Sequence, residues 1–341
     1  MVMRMNEEFH APILPLARYR LRFRPVAGAG SLDALRGQYL GSAWRGAFGA
    51  SLRAMVCVTR QPVCDGCPLL LSCPYPVIFE SRPPASAEKF TRYPRTPGPY
   101  VLQPEELARD KPIDELCLGL TLFGTANNQL PYIAHAFERA GKSGLTRAKI
   151  KLELIDIEAE TSSGAASDPS PHRPVTGRTE GWISIYKPGR ELQPAAQNAP
   201  EAINVRNSAR VRLLSPLRLR RDNRSVLGDE LSFKIFMSSL VRRISMLTYF
   251  FSPTPLETDF AGLTRLMDQI KISGRDLEWR ELERYSSRQR GKIPMGGLLG
   301  EFQLGGADLA PFWPYLWLGQ WTHAGRGCTM GLGRYALELE D

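Results

Sequence analysis

The chain of 341 residues lacks features that mark whole classes of protein. No apolar run approaches the roughly 18 residues of a transmembrane helix, so no membrane span is predicted. The N-terminal segment MVMRMNEEFHAPILPL lacks the basic start, long apolar stretch and small-residue cleavage site of a signal peptide. We therefore expect a cytoplasmic protein with no membrane partner, long enough for two domains with ample cores.

Histidine and lysine are scarce. Only four histidines occur, so few residues are available for acid–base catalysis near neutral pH. The 44 basic residues are 9 lysines and 35 arginines, and the formal net charge is +9. Arginine forms bidentate contacts with phosphate and stacks on bases. This balance favours nucleic-acid binding, although an arginine-rich genome composition would produce the same bias.

Cysteine is sparse too, yet four of the six cysteines stand in one run, CVTRQPVCDGCPLLLSC. Their spacing is C-x6-C-x2-C-x5-C, and they are Cys57, Cys64, Cys67 and Cys73. A disulfide framework would be spread more evenly along the chain, so a reducing compartment with one metal centre fits better. We expect these thiolates to hold one centre with a structural or RNA-docking role.

Two kinds of centre are compatible with this run. The spacing is similar to that of the [4Fe–4S] loop in endonuclease-III-like DNA glycosylases. A Zn²⁺ site usually has two C-x2-C pairs, and only Cys64 and Cys67 form such a pair here. The glycosylase function itself is rejected, because the chain has no LPGVG-type helix–hairpin–helix and its cysteines lie early.

Two predicted elements open the chain. The segment LARYRLRFRP is a period-two strand with one apolar and one wholly basic face, which is unusual for a neutral role. Apolar residues at helical spacing predict a helix over about 38–55, in which glycines, Gly49 among them, permit the close approach of something bulky.

Three further elements complete the first half: a strand at 115–124, a helix at 128–141 and a strand at 150–160. The alternation slips near Ile155, which predicts a bulge or a strand buried on both faces.

The second half repeats this order. A basic strand precedes a helix over about 229–250, and two strands around a glycine turn, a helix near 307–320, a glycine turn and a final strand follow. The fold class is therefore α+β, with tandem ferredoxin-like (βαββαβ) domains. The predicted boundaries are 13–160 with the cysteine insertion 57–73, a mobile Pro/Ser/Gly-rich connection at 161–202, and 203–341.

Several blocks carry a resemblance to a known family. They are RYSSRQ, MGGLLGEF, FWPYLWLGQWTHAGRGCTMGLGRYALE, LLSPLRLR and SSLVRRISMLTYF, with WRGAFGASLR in the first half. The chain resembles the CRISPR repeat-processing endoribonucleases of the RAMP superfamily, in a cysteine-bearing branch. The resemblance covers 200–341 well and 13–160 loosely. It implies binding of CRISPR repeat RNA, cleavage of precursor transcripts into guide RNAs, and other CRISPR effector subunits as partners.

The implied cleavage needs no cofactor. The RNA 2′-hydroxyl attacks the adjacent phosphate, and a 2′,3′-cyclic phosphate and a 5′-hydroxyl result. His323, two residues before the Gly325 turn, is the acid–base candidate. Many relatives carry a histidine on the first helix; this chain has none there, and Tyr39 and Arg45 are the polar candidates.

The glycine-rich turn before the last strand suggests RNA contacts, because glycine lets backbone N–H groups approach phosphates. The candidate RNA-binding residues are Gly325, Arg326, Gly327, Gly331, Gly333, Arg334, Arg288, Arg290, Lys292, Lys142 and Arg147. Two alternatives stay open: a RAMP-type subunit that holds guide RNA without cutting it, and a general RNA-binding protein with a metal-stapled loop.

Overall fold

The computed structural model describes residues 9–28, 30–107, 113–161, 181–187, 189–202, 206–286 and 291–338. The chain divides into two compact units. The first is Pro15–Asn198, and the second joins the chain from Ala199 onward to the residues before Pro15. Within the described ranges, no helix is both long and apolar enough to cross a membrane.

The first unit is a five-stranded antiparallel sheet with order β2-β3-β1-β4-β5, packed against two helices. Its elements are β1 (Leu16–Pro25), α1 (Leu40–Val56), β2 (Tyr100–Pro104), β3 (Leu116–Phe123), α2 (Leu130–Ser143), β4 (Leu152–Glu160) and β5 (Trp182–Ser184). A π-helical turn, Pro76–Glu80, follows the cysteine run. The order β2-β3-β1-β4 is that of a ferredoxin-like βαββαβ unit.

The second unit repeats the pattern in a four-stranded sheet with order β13-β6-β12-β9. Its elements are β6 (Ala209–Leu217), β7 (Arg220–Arg221), β8 (Arg224–Ser225), α3 (Phe233–Phe251), α4 (Phe260–Leu266), β9 (Lys271–Arg280), β10 (Glu283–Ser286), β11 (Gly291–Pro294), β12 (Gly297–Gly305), α5 (Trp313–Thr322) and β13 (Tyr335–Glu338). The structure confirms the predicted tandem ferredoxin-like fold. It adds two short hairpins, β7–β8 and β10–β11, that the sequence patterns did not separate.

The slip in the alternation of β4 is a bulge. Arg22 pairs with Asp156 and Phe23 with Leu154, which leaves Ile155 between them. One extra residue on β4 therefore opposes β1, and the side chains after it change face. The bulge predicted near Ile155 is confirmed.

Aromatic side chains fill the core around α1. Phe48 stacks on Phe137 with ring centroids 4.4 Å apart, and it also contacts Phe79 from the π-helical turn at 4.9 Å. A Cβ on Gly49 would lie 2.9 Å from the Phe79 ring, so only glycine lets this ring lie against α1. The bulky neighbour that the sequence predicted for Gly49 is Phe79.

The connection predicted to be mobile at 161–202 lies partly outside the described residues, at 162–180 and 188. Its later part is fastened to the first unit. Trp182–Ser184 pairs with β4, Asn198 forms a backbone bridge with Leu16, and the Ala195 N–H donates to the buried Tyr19 hydroxyl at 3.1 Å. These partners, over 170 residues earlier in two cases, hold a segment whose composition alone favours a loop.

Candidate nucleic-acid interface

The arginine face of β1 is paired with acids inside the first unit. Arg18 Nη1 lies 2.7 Å from Glu160 Oε1, and Arg20 Nη1 lies 3.8 Å from Glu158 Oε2. The side chains of these four residues are at most 10% exposed. The Trp182 ring lies over the two arginines, with its centroid 5.6 Å from the Arg18 guanidinium carbon and 4.0 Å from that of Arg20. The basic face of β1 therefore has a structural role: its arginines form ion pairs with acids of the same unit.

The outer arginines of β1 are paired as well. Glu115 accepts hydrogen bonds from Arg22 at 2.5 Å and from Arg24 at 2.9 Å. Burial raises the pKa of Glu115, but the hydrogen bonds and positive charges of the two arginines together outweigh it, and the net pKa lies below the ordinary value. The neighbouring Cys117 is half-buried on the same face, and loss of solvent contact raises the pKa of its thiol to about 12. This face of the sheet is a neutralised, partly buried layer rather than an open cationic surface.

The glycine turn before β13 lies against the end of β6. The Arg326 N–H donates to the Arg218 carbonyl at 2.8 Å, and the Gly333 N–H donates to the Pro216 carbonyl at 3.0 Å. A Cβ on Gly325 would stand 2.5 Å from the Arg218 carbonyl oxygen, so its glycine serves close packing on β6. These N–H groups are thus satisfied within the protein, in contrast to the phosphate contacts expected for them.

His323 ends α5 inside the protein. Its side chain is fully buried, and its Nδ1 lies 3.2 Å from the Leu332 carbonyl oxygen, across the glycine turn. The backbone there has φ 60° and ψ 163°, a region that side chains rarely adopt. In this position His323 ties the glycine turn to α5, and its ring does not face solvent where a substrate could reach it.

An open groove of about 880 Å³ lies in the second unit beside this turn. Six cationic residues and one acid line it: Arg218, Arg220, Arg221, Lys234, Arg242, Arg326 and Asp268. The acid is already engaged, because Asp268 Oδ2 lies 2.7 Å from Lys234 Nζ. We call these lining residues the basic groove. Its excess of arginine is the charge pattern that polyphosphate backbones select.

Two elements shape the basic groove. The β7–β8 hairpin turns through Asp222 and Asn223, whose positive φ angles of 49° and 63° suit a tight two-residue turn, and it presents Arg220 and Arg221. The N-terminus of α3 also borders the groove, where Ser232 Oγ accepts the Ile235 N–H at 3.3 Å. The helix dipole there adds to the attraction for an anion.

Sequence reasoning had selected only Gly325 and Arg326 among the groove residues. The signal that could have found the rest is the density of arginine around RLRRDNR, with Asp-Asn as a hairpin turn. Arg242 is exposed on α3 and faces the groove, although its sequence context is that of an ordinary amphipathic helix.

The other proposed RNA-binding residues fall elsewhere. Lys142 bonds Glu138 at 2.5 Å on α2, and Arg147 is exposed in the next turn, both in the first unit. Arg334, whose N–H donates to Ser215 Oγ at 2.8 Å, immediately precedes β13 and does not line the basic groove. Gly327 and Gly331 belong to the glycine turn.

Three of the proposed residues cannot be placed against the groove. Arg288 and Arg290 lie outside the described residues. Lys292 belongs to strand β11, and its side chain is outside the described part of the chain.

The polar candidates on α1 are half-buried. Tyr39 is the N-cap residue of α1, and the Arg45 guanidinium lies 5.2 Å from the ring centroid of Phe79. A guanidinium held over an aromatic ring keeps its charge and its hydrogen-bonding edge. Both candidates therefore lie at the N-terminal end of α1.

The four cysteines of the run all line one small cavity beside the C-terminal end of α1. They are unbridged and half-buried. As they stand, no three His, Cys, Asp or Glu side chains in the described ranges are placed to hold a metal ion together. Thiolates are the donors that zinc and iron–sulfur clusters select, so the residue types fit such a centre.

Two ferredoxin-like units in tandem, with a glycine turn before the last strand, define a RAMP-type protein. Residues 14–186 match a family model described as an N-terminal domain (AF_1859_N), and residues 211–335 match that of the CRISPR-associated endoribonuclease Cas6. The chain belongs to the RAMP-type family of CRISPR repeat-processing proteins. No curated protein matches it significantly.

Solved structures share this fold. A product complex of Cas6 (TTHB231), a Thermus thermophilus protein, matches with TM-score 0.53 and 15% identity, over 95% of this chain and 99% of that chain. A partial Cas6-RT-Cas1–Cas2 complex matches with TM-score 0.50 and 14% identity, over 96% of this chain and 46% of that chain. At such identities the likeness shows the fold alone.

Proposed function

We propose that this protein is an endoribonuclease that binds CRISPR repeat RNA and cuts precursor transcripts into guide RNAs. The basic groove carries this proposal, because it lies inside the stretch that matches the Cas6 model and its six cations outnumber the acids beside them, as a surface for a phosphate backbone requires. Guide RNA and other CRISPR effector subunits are the partners that this function entails.

The proposed chemistry is attack by the RNA 2′-oxygen on the adjacent phosphorus. The 2′-hydroxyl gives up its proton as it attacks, the 5′-oxygen of the next nucleotide leaves with a proton, and a 2′,3′-cyclic phosphate remains, with no metal ion required. We assign Arg45 to stabilise the charge that develops on the phosphate and Tyr39 to proton transfer. His323 acts as a positioning residue, since its ring is buried against Leu332.

A second candidate function is a RAMP-type subunit that holds guide RNA without cutting it. The burial of His323 favours this alternative, because it removes the histidine nearest the glycine turn from contact with RNA. Of the other histidines in the described chain, His10 is exposed near the N-terminus, and exposed His135 on α2 is bound to Glu138 at 3.1 Å.

The test is incubation of the purified protein with end-labelled repeat RNA in excess EDTA. A matched RNA carries a 2′-deoxy substitution at the mapped cut. We expect one discrete cut that the deoxy substitution abolishes. Tight binding without a cut would replace this proposal with the non-catalytic subunit, and cleavage that requires added metal would overturn the 2′-oxygen mechanism.

Variants assign the roles. Arg45→Ala and Tyr39→Phe should each slow the cut by about a hundredfold or more while binding persists. His323→Ala should lower thermal stability and leave the shape of the pH–rate profile unchanged. Disappearance of one limb of that profile would instead make His323 the acid or base. His135→Ala is the matched control for removal of a histidine.

A further inference from the structure

The cysteine loop, Cys57–Cys73, joins the end of α1 to the π-helical turn. Its four cysteines come from 17 residues of chain, yet all of them line the same small cavity together with apolar residues such as Val63 and Leu69. The remaining cysteines lie outside this cavity, Cys117 in β3 and Cys328 within the glycine turn. The thiols of the loop are thus grouped by the fold and not only by the sequence.

Backbone geometry inside the loop favours ligation. The Cys67 N–H donates to the Cys64 carbonyl at 3.1 Å, and Gly66 between them has φ 73°. This tight turn brings the two cysteines of the C-x2-C pair together, as a metal knuckle requires. Thr59 Oγ1 lies 4.0 Å from Cys57 Sγ and 3.7 Å from Cys67 Sγ, so these two sulfurs approach a common point.

The loop has little apolar packing to hold this shape. Val58, Val63 and Leu71 are 75%, 53% and 74% exposed, so they contribute little burial. Contacts at the loop edges do exist. Arg53 donates to the carbonyls of Gln61 and Pro62 at 2.5 and 2.8 Å, and Arg82 pairs with Asp65.

We propose that the four cysteines bind one thiophilic metal centre, either Zn²⁺ or an iron–sulfur cluster. Each thiol loses its proton to become a ligand. Because no three of the side chains now stand in one ligand shell, the sulfurs must turn inward; one change of χ1 rotamer moves a sulfur by about 3 Å. The centre would cross-link the end of α1 to the π-helical turn. This proposal does not depend on the proposed ribonuclease function.

The first experiment measures metal in the full chain purified without oxygen. Elemental analysis, acid-labile sulfide and the visible absorption spectrum distinguish Zn²⁺ from an iron–sulfur cluster. About one zinc per chain without sulfide would identify Zn²⁺, and about four irons with matching sulfide and a broad band near 400 nm would identify [4Fe–4S]. If neither metal is found as purified, nor after anaerobic reconstitution with Zn²⁺ or with iron and sulfide, the proposal is overturned.

Variants locate the centre. Cys64→Ser with Cys67→Ser should lower the metal content at least tenfold relative to the wild type, and Cys117→Ser, in the sheet, should retain it. Retention of full metal content by the double variant would exclude the loop as the site.

A second measurement uses the wild-type protein, so the proposal can be tested even if the double variant fails to fold. In the wild-type protein, the metal should protect four thiols from alkylation, mapped by mass spectrometry to Cys57, Cys64, Cys67 and Cys73. Chelation should expose all four together. Equal labelling with and without metal would contradict the proposal. RNA cleavage is not part of either readout, so failure of the ribonuclease function leaves this test intact.

Discussion

The arginines of β1 and those of the basic groove look alike in sequence but differ in their neighbours. Every arginine of the alternating face of β1 is bound by an acid, either Glu158 or Glu160 of β4 or Glu115 just before β3. In the basic groove, six cations outnumber the acids beside them: Asp268 is bound to Lys234, and Asp222 of the hairpin turn lies 3.8 Å from Arg221. Alternating arginine therefore indicates a nucleic-acid surface only where the neighbouring elements supply fewer carboxylates than arginines.

The largest expected effect concerns the buried ion pair of Arg18 and Glu160 in the first unit. Arg18→Ala leaves the Glu160 carboxylate buried without its closest cation, and removal of one partner of a buried pair costs about 3–5 kcal/mol. We expect a decrease of this size in the free energy of unfolding, measured by urea denaturation. RNA affinity of the folded protein should stay unchanged.

A double replacement is the control for this effect. Arg18→Leu with Glu160→Leu removes both charges and should recover most of the stability, because a buried pair replaced by apolar groups is often near neutral. If Arg18→Ala weakened RNA binding in protein that remains folded, β1 would be part of the interface and the comparison would fail.

The next effect concerns the basic groove. Arg242→Ala with Arg326→Ala should weaken repeat-RNA binding by about tenfold or more per arginine, because each removes a charge-assisted hydrogen bond to phosphate. The slope of log affinity against log salt should become shallower by about 0.7 for each phosphate of a single strand that the variant no longer neutralises. Filter binding over a salt series measures both quantities.

The matched control is a pair of arginines already bound to an acid. Arg22→Ala with Arg24→Ala removes the same charge from β1 and should leave the salt slope close to that of the wild type. Equal slopes for the groove variant and the wild type would exclude the basic groove as the surface that binds phosphate.

A smaller effect is expected from Trp182, whose ring lies over the arginines of β1. Trp182→Leu removes an aromatic ring that lies over Arg20 at 4.0 Å and should lower stability by about 1 kcal/mol, within the range of a partly buried cation–π contact. Thermal denaturation of the variant measures this decrease, and repeat-RNA affinity provides the comparison. An unchanged melting temperature would mean that the indole shields Arg20 from solvent without adding to the stability of the fold.

The smallest effect is the pH dependence of Glu115. Because its pKa is lower in the folded protein, its contribution to stability is present above the ordinary value of 4.5 and is lost as the pH falls through the lowered value. Glu115→Gln should therefore be less stable than the wild type at neutral pH, and the difference should vanish in acid. A difference that persists at low pH would point to poorer packing instead.

The alternation of apolar and polar residues predicted those strands whose burial follows directly from that alternation. The strand at 16–25 and the bulge at Ile155 follow from alternation with period two, which reports the buried face directly. The tandem fold followed from the order of the elements. Pairing of Arg18 with Glu160 did not, because it depends on strand register between residues 142 positions apart.

The site was harder to predict for a related reason. Proximity to the glycine turn made His323 a candidate in sequence, but only the folded turn shows that its ring points to Leu332. Likewise, Arg218 and Arg242 meet in one groove only because the chain just after β6 and the N-terminal half of α3 line the same space. Chemistry-bearing residue types can be read from a sequence, whereas the side of an element that meets solvent depends on distant contacts.

The backbone at His323 stores conformational energy. Its φ and ψ lie in a region that is occupied almost only by glycine, and this backbone strain costs about 1–3 kcal/mol. The hydrogen bond between the imidazole and the Leu332 carbonyl therefore forms in spite of this strain. A His323→Gly variant would relieve this backbone strain but would also lose the buried imidazole and its hydrogen bond to Leu332. Faster amide exchange at residues 325–333 of this variant would record how much rigidity the hydrogen bond gives to the glycine turn.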